Sequence, residues 1–258
     1  MKKYTLTLIL ALVSLGLYAQ TNRNKTIINA ALHGWEYEIK AGVNLGGTAP
    51  LPFPEEIRSI DGYNPTLSIT IEGNMTKWLD SKKKWGIITG LRLENKGMRT
   101  KATVKNYNME IIGYDGNRLK GNWTGGVRTK VQNSYITIPV LAAYKLNPRT
   151  TLKLGPYFSY LMDGDFSGHV YEGYLRETNP PGDKINFTNG AIATYDFSGD
   201  LRKFQWGVQA GVDWKAFKHL KVHADLNWGL NDIFNKDFKT VTFDMYAIYL
   251  NVGFGYAF

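Results

Sequence analysis

The chain has 258 residues, 43% of them hydrophobic, 14% aromatic and 21% charged, with 27 Gly and no Cys. This composition excludes a disordered chain, and the lack of Cys excludes disulfides, thiolate metal sites, a Cys nucleophile and a lipid anchor on an N-terminal Cys. The formal net charge is +9, and four His leave little material for a transition-metal centre.

Lys2 and Lys3, the apolar run Leu6–Tyr18 and the small Ala19 follow the order of an export signal. Residues 1–20 are therefore expected to be a cleaved signal peptide. Its removal takes two lysines and no acids, which brings the net charge to +7. Residues 21–34 read as a periplasmic arm, in which Ile27, Ile28, Ala31 and Leu32 allow a turn or two of helix. No later segment holds the roughly 18 consecutive apolar residues of a membrane helix.

From residue 35 the chain reads in twos. Tyr37, Ile39, Ala41, Val43 and Leu45 alternate with Glu36, Glu38, Lys40, Gly42 and Asn44. Leu67–Leu79, Trp85–Asn95 and somewhat beyond, Ser134–Leu146 and Thr151–Met162 follow the rule less strictly. Phe204–Ala216, Leu220–Asn231 and Tyr246–Phe258 follow it closely. Each of these eight segments supplies the about 9–11 tilted residues of a membrane strand. The connections 80–84, 147–150 and 217–219 are short, whereas 46–66, 96–126, 163–202 and 232–243 are long. This alternation predicts an all-β fold: an eight-stranded antiparallel up-and-down transmembrane barrel over 35–258. The long loops then face outside the cell and both termini face the periplasm. Pro139 removes a ladder donor and predicts a bulge.

Period two alone does not tell an inside-out barrel from a water-soluble one. The aromatic positions decide it. Trp35, Tyr37, Trp78, Trp85, Tyr144, Trp214, Tyr256 and Phe258 fall at one end, and Phe158, Tyr160, Phe204, Trp206, Trp228 and Tyr246 at the other. The inward set then carries Glu36, Glu38, Lys40, Glu72, Arg92, Glu94, Lys96, Lys153, Asp213, Lys215, Lys221, His223 and Asp225. Eight strands leave a lumen just wide enough for side chains, so these charges are expected to pair with one another and to exclude a wide pore.

Several constellations invite chemistry. Asp163, Asp165 and Ser167 open like a calcium loop, but the twelfth position is Tyr174 where Glu is needed. Ser167 and His169 stand close in sequence, which is no indication of triad geometry. His223 has no nucleophile near it in the pattern. No catalytic, cofactor-binding or metal-ligating residue is assigned, and no cofactor is expected. The 96–126 segment holds six Lys/Arg against two acids, and 164–202 holds six acids with Phe166, Tyr171, Tyr174, Phe187, Tyr195 and Phe197. Two readings follow for these segments: solvated loops that pack on each other, or a surface for lipopolysaccharide phosphates and an envelope protein. Nucleic acid is excluded by the compartment. Asp115-Gly116 marks a hairpin tip that extends the third and fourth strands.

The run Tyr135-Ile-Thr-Ile-Pro-Val-Leu-Ala-Ala-Tyr144 resembles the Ile-Pro-Leu-rich strand of the PorT-type outer-membrane barrels of Bacteroidetes. Leu154–Leu161, Gln205–Trp214, Asn227–Ile233 and Gly253–Phe258 resemble later strands of that family. The resemblance implies an integral outer-membrane barrel in a Gram-negative cell envelope. The filled lumen speaks against a channel and the lack of a nucleophile–base set against an enzyme, which leaves a non-enzymatic scaffold or accessory role, with secretion as the process of the family's namesake. The alternatives are a narrow porin-like channel for small polar solutes or a rim-facing lipid-modifying enzyme. Resemblance to other outer-membrane barrels further implies that Phe258 is part of an assembly signal.

Overall fold

The computed structural model describes residues 34–113, 116–177 and 181–258. The expected signal peptide and all of the 21–34 arm except Gly34 lie outside these residues, as does Asp115. The strands are β1 (Trp35–Pro50), β2 (Ile57–Pro65), β3 (Ile69–Trp78), β4 (Trp85–Ile112), β5 (Arg118–Lys145), β6 (Thr150–Glu177), β7 (Lys184–Asp196), β8 (Phe204–Lys215), β9 (Leu220–Gly229) and β10 (Met245–Ala257).

Eight of them close a ring in the order β1, β3, β4, β5, β6, β8, β9, β10 and back to β1. The closing ladder runs from Glu38 opposite Ala257 to Pro50 opposite Met245. Closure pairs the strands round the ring, as a barrel in lipid requires, except near the end where β3 begins only at Ile69 and β1 runs on beyond it. At one end the turns are short and held by side chains. Asp80 accepts the N–H groups of Lys84 and Trp85 at 2.8 Å, and Asn147 accepts those of Arg149 and Thr150. The other end carries the long connections. These are called the turn end and the loop end below.

The barrel is inside-out. On β8 and β9, Gln209, Asp213, Asp225 and Asn227 are buried, while Val208 and Leu226 are exposed and Val212 and Val222 partly so. The same face carries exposed Ile71, Leu91, Ile138, Leu154 and Phe254. In water such a surface costs about 25 cal/mol per Å²; hydrocarbon removes that cost. Exposed Trp85, Trp214, Tyr256 and Phe258 ring the turn end, and Tyr160, Phe204, Trp206 and Trp228 ring the loop end. Phe258 also donates its N–H to Tyr37 O at 3.1 Å.

Two expectations are corrected. First, most of 96–126 and of the described part of 163–202 is strand and not loop, the former as the Asp115-Gly116 tip predicts. β4, β5 and β6 each run for 28 residues, roughly 90 Å at about 3.3 Å per residue, well past the hydrocarbon. β7 pairs with β6 and bridges to β4 at Ile112–Thr194, and β2 pairs with β4. A bulge between Val104 and Tyr107 hides this from a period-two reading. It moves the buried positions from the even-numbered Met98 and Val104 to the odd-numbered Met109 and Ile111. Second, Pro139 makes no bulge. The β5–β6 register is the same from Pro139–Tyr157 to Ala142–Leu154, and the β4–β5 ladder skips the Gly90–Pro139 and Leu91–Ile138 pairs without shifting. A single lost donor in so long a ladder leaves a gap and needs no extra residue.

Candidate functional site

The lumen is filled by two linked polar clusters. Nearer the turn end, Lys40 and Lys153 both bind Asp213, at 3.1 and 2.5 Å, and Lys153 also reaches Asp225 at 2.7 Å. Lys221 closes on Glu38 at 2.9 Å. Midway along, Arg92 on β4 binds Glu72 on β3 and crosses the lumen to Gln209 on β8 at 2.8 Å and Asn227 on β9 at 3.1 Å. Glu94 accepts from Thr137 at 2.8 Å and pairs with Lys96 at 3.1 Å. Opposite walls are thus laced together by groups that are almost entirely buried. Removing one member of such a pair strands its partner, at about 3–5 kcal/mol. The predicted inward charges lie here, except that Lys215 is exposed and Glu36 is partly exposed at the rim, bound to Lys83 at 2.7 Å. His223 is buried with Nε2 on Asn251 Oδ1 at 2.8 Å, a structural contact with no nucleophile.

Lys96 marks the upper boundary of the charged lumen. Its ammonium lies 5.2, 5.3 and 5.8 Å from the ring centres of Tyr135, Tyr157 and Tyr249. Beyond it the interior is apolar. Met98, Val131, Leu201, Ile233 and Val241 are buried there with Phe166, Phe197 and Phe234. Phe234 meets Phe166 at 5.0 Å and Phe238 at 4.7 Å. This cap has no periodic signature in the sequence, although Ile233, Phe234, Phe238, Val241 and Phe243 cluster within one connection. Its irregular backbone gives no period to read. The acid-rich segment is also rearranged, because Phe166, Phe187, Tyr195 and Phe197 are buried in the cap and unavailable to a partner. Beside the cap, burial holds the Asp232 carboxyl above its ordinary value against the pull of the Met245 and Phe234 N–H groups.

On the outer wall of the extension, register creates a grid of cations. Arg99 stands opposite Lys130, and Lys101 opposite Arg128. Like charges directly opposite one another are destabilising. Lys130 is relieved by Asp165 at 2.5 Å. Lys101 and Arg128 both lie against the Tyr171 ring, at 5.5 and 5.3 Å. Among the described residues Arg99, Lys101 and Arg128 have no ion pair. These residues border an open cleft of about 910 Å³.

Asp163, Asp165, Ser167 and His169 all lie within the continuous strand β6 and not in a loop. Ser167 donates to Asp165 at 2.6 Å, so its hydroxyl is committed to a carboxylate. Burial pushes the Asp165 carboxyl up, but the bonds from Lys130 and Ser167 outweigh this and hold it below its ordinary value. Burial and Arg128 lower the His169 pKa. No group of three or more metal-ligating side chains occurs among the described residues.

A closed inside-out barrel with an ion-paired lumen defines an integral outer-membrane β-barrel protein of a Gram-negative bacterium. The family model described as the outer membrane protein beta-barrel domain matches residues 18–235, and the chain belongs to that family. No curated protein matches it. Among solved structures it is similar to the attachment invasion locus protein Ail of Yersinia pestis, at 11% identity over 87% of this chain and 97% of that one, with a TM-score of 0.36. It is also similar to the outer membrane protease OmpT of Escherichia coli, at 12% identity over 88% and 97%, with a TM-score of 0.33. Neisserial surface protein A is similar at 9% identity over 87% and 97%, with a TM-score of 0.31. Likeness this distant bears on no activity.

Proposed function

We propose that this barrel is a non-enzymatic, non-conducting scaffold or accessory of an envelope complex, with secretion, the process of the PorT-type barrels it resembles, as the first candidate. Its loop end faces outward and its termini face the periplasm. The observation that carries the reading is the lacing of opposite walls by Arg92, Lys40 and Lys153. A lumen crossed by buried ion pairs offers solutes no open path, so the outward platform built by β4 to β7 is the part left to act. The grid of Arg99, Lys101 and Arg128, which makes no ion pair among the described residues, lies on the loop-end side of the outward apolar pair Leu93 on β4 and Ile136 on β5. That is the level of phosphate groups in the lipid headgroups, and lipopolysaccharide is the anion that suits it.

Crosslinking in cells followed by affinity purification tests the scaffold reading. Envelope proteins recovered in stoichiometric amount through the loop-end strands are the expected result. A barrel that comes away with lipid alone, after efficient crosslinking, overturns it. Steady conductance of the purified barrel in planar bilayers would instead establish the channel.

A further inference from the structure

The wall is incomplete at one place. β3 begins only at Ile69, so near the loop end β1 loses its neighbour. The β1 side of that seam bonds to Ser68 O through the Asn44 N–H at 2.8 Å. Two residues further on, Gly46 O accepts instead from the Tyr63 hydroxyl at 2.6 Å. Two residues beyond that, the Thr48 N–H points at Met98 Sδ at 3.3 Å, a weak acceptor. β2 lies where β3 would continue, but it pairs with β4 and makes no ladder with β1. Side chains bridge the gap that a strand would normally fill. Gly47 is part of this arrangement, because a Cβ there would stand 2.6 Å from Met98 Sδ.

Behind the seam lies a cavity of about 460 Å³, within the roughly 300–1,000 Å³ of small-molecule sites. Pro50, Ile57, Met98, Val104, Phe166 and Phe243 are among the residues that line it, and no charged side chain does. Burial, with Glu56 nearby, raises the Tyr107 hydroxyl well above its ordinary pKa, so this wall also stays neutral. The charged lumen begins below, at Lys96. Ile60 lines the cavity and is exposed, as are Leu45, next to the lining Gly46, and Leu67 and Ile69, which flank the seam residue Ser68. Leu45 and Ile69 belong to the lipid-facing sides of β1 and β3, so the entrance is continuous with the surface that hydrocarbon already covers.

We propose that the gap between β1 and β2 is a lateral door, latched by Tyr63, through which one acyl chain of a membrane amphiphile passes from the surrounding leaflet into this cavity. The volume suits a single chain and excludes a bundle of several. The lining offers hydrocarbon contacts and a few hydroxyls, so the chain enters while any charged headgroup stays outside. This goes beyond the scaffold reading and does not depend on it, since the lumen below is sealed in either case.

The probe is palmitic acid carrying a diazirine near its chain end, added to the barrel in phosphatidylcholine nanodiscs, photolysed and mapped by peptide mass spectrometry. Labels are expected on cavity residues such as Met98, Val104 and Phe166, together with background labels on Leu91 and Leu154. Unlabelled palmitic acid should compete away the inner labels and leave the outer ones. Ala102→Trp, which fills the cavity, should abolish only the inner labels, and Tyr63→Phe should speed inner labelling without moving it. Labels confined to the lipid face, or inner labels that do not compete, overturn the proposal. The competition experiment uses the native chain, so it decides the matter even where Ala102→Trp fails to fold.

Discussion

The two halves of the barrel interior are built from opposite materials. Below Lys96 the inward side chains are mostly charged or polar, and the charged ones pair across strands; glycines and a small apolar cluster of Ile88, Leu141 and Ala143 fill the rest. Above it the interior is Met, Val and Phe, and the walls are held by packing. The outer wall shows the reverse order: apolar beside the charged lumen, cationic beside part of the apolar cap. Each side chain follows its local solvent. Where hydrocarbon lies outside, polarity has to turn inward and pair; where water lies outside, the ordinary rule returns. The reversal therefore locates the membrane edge without reference to a bilayer.

The largest expected effect separates the halves most sharply. Arg92→Leu leaves Glu72 buried without its main cation and Glu94 with Lys96 alone, and should lower stability by about 3–5 kcal/mol in urea unfolding from vesicles. Arg92→Leu combined with Glu72→Leu should recover part of that loss. Recovery would show that the pair matters through desolvation and not through shape.

Phe234→Ala acts on the other half. Phe234 is 1% exposed, and truncating a buried Phe costs about 3 kcal/mol or more. The loss should appear as protease sensitivity confined to 196–245, with the lower barrel still resistant. Uniform loss of protection would mean that the two halves fold as one unit.

Acid distinguishes them more gently. The Asp165 carboxyl titrates below its ordinary value in the folded state, so the unfolded chain takes up the proton first. Its pairing with Lys130 therefore stabilises above the ordinary carboxylate range and is lost as pH falls through the folded value. The pair is more than a third exposed on the Lys130 side, which limits the effect to at most about 1 kcal/mol. Lys130→Gln should flatten this part of the pH profile, read as cap protease resistance between pH 7 and pH 3.

The smallest effect concerns the cation grid. Replacing Arg99, Lys101 and Arg128 by Gln removes two repulsive cross-strand pairs and should leave stability unchanged or raised by a few tenths of a kcal/mol. Copurified lipopolysaccharide should fall at the same time. Unchanged lipopolysaccharide would remove the anion from this surface.

The ring was legible because β1, β8, β9 and β10 hold strict period two, with unlike chemistry on the two faces. Val208 against Gln209 and Leu226 against Asn227 separate the two faces, and the aromatic positions at both ends orient them. The lumen charges were legible for the same reason. The length of β4 and β5 was legible only from the Asp115-Gly116 tip, which the pairing out to Ile112 and Arg118 bears out, and not from the period, because the bulge at residues 105–106 changes which parity faces inward. The cap was hidden in an irregular connection, where Ile233 and Phe234 are buried with no repeat around them. The cation grid depends on register, which places Lys101 beside Arg128 across 27 residues of sequence. The seam depends on β2 lying where β3 would continue, a tertiary fact that no local pattern carries.

Single-channel recording on the purified barrel in planar bilayers tests the central claim, a lumen laced shut, most directly. The native chain is expected to give no stable unitary conductance, with openings only in variants that cut the lacing, such as Arg92→Leu with Lys153→Leu. A steady, reproducible conductance from the native barrel would contradict it.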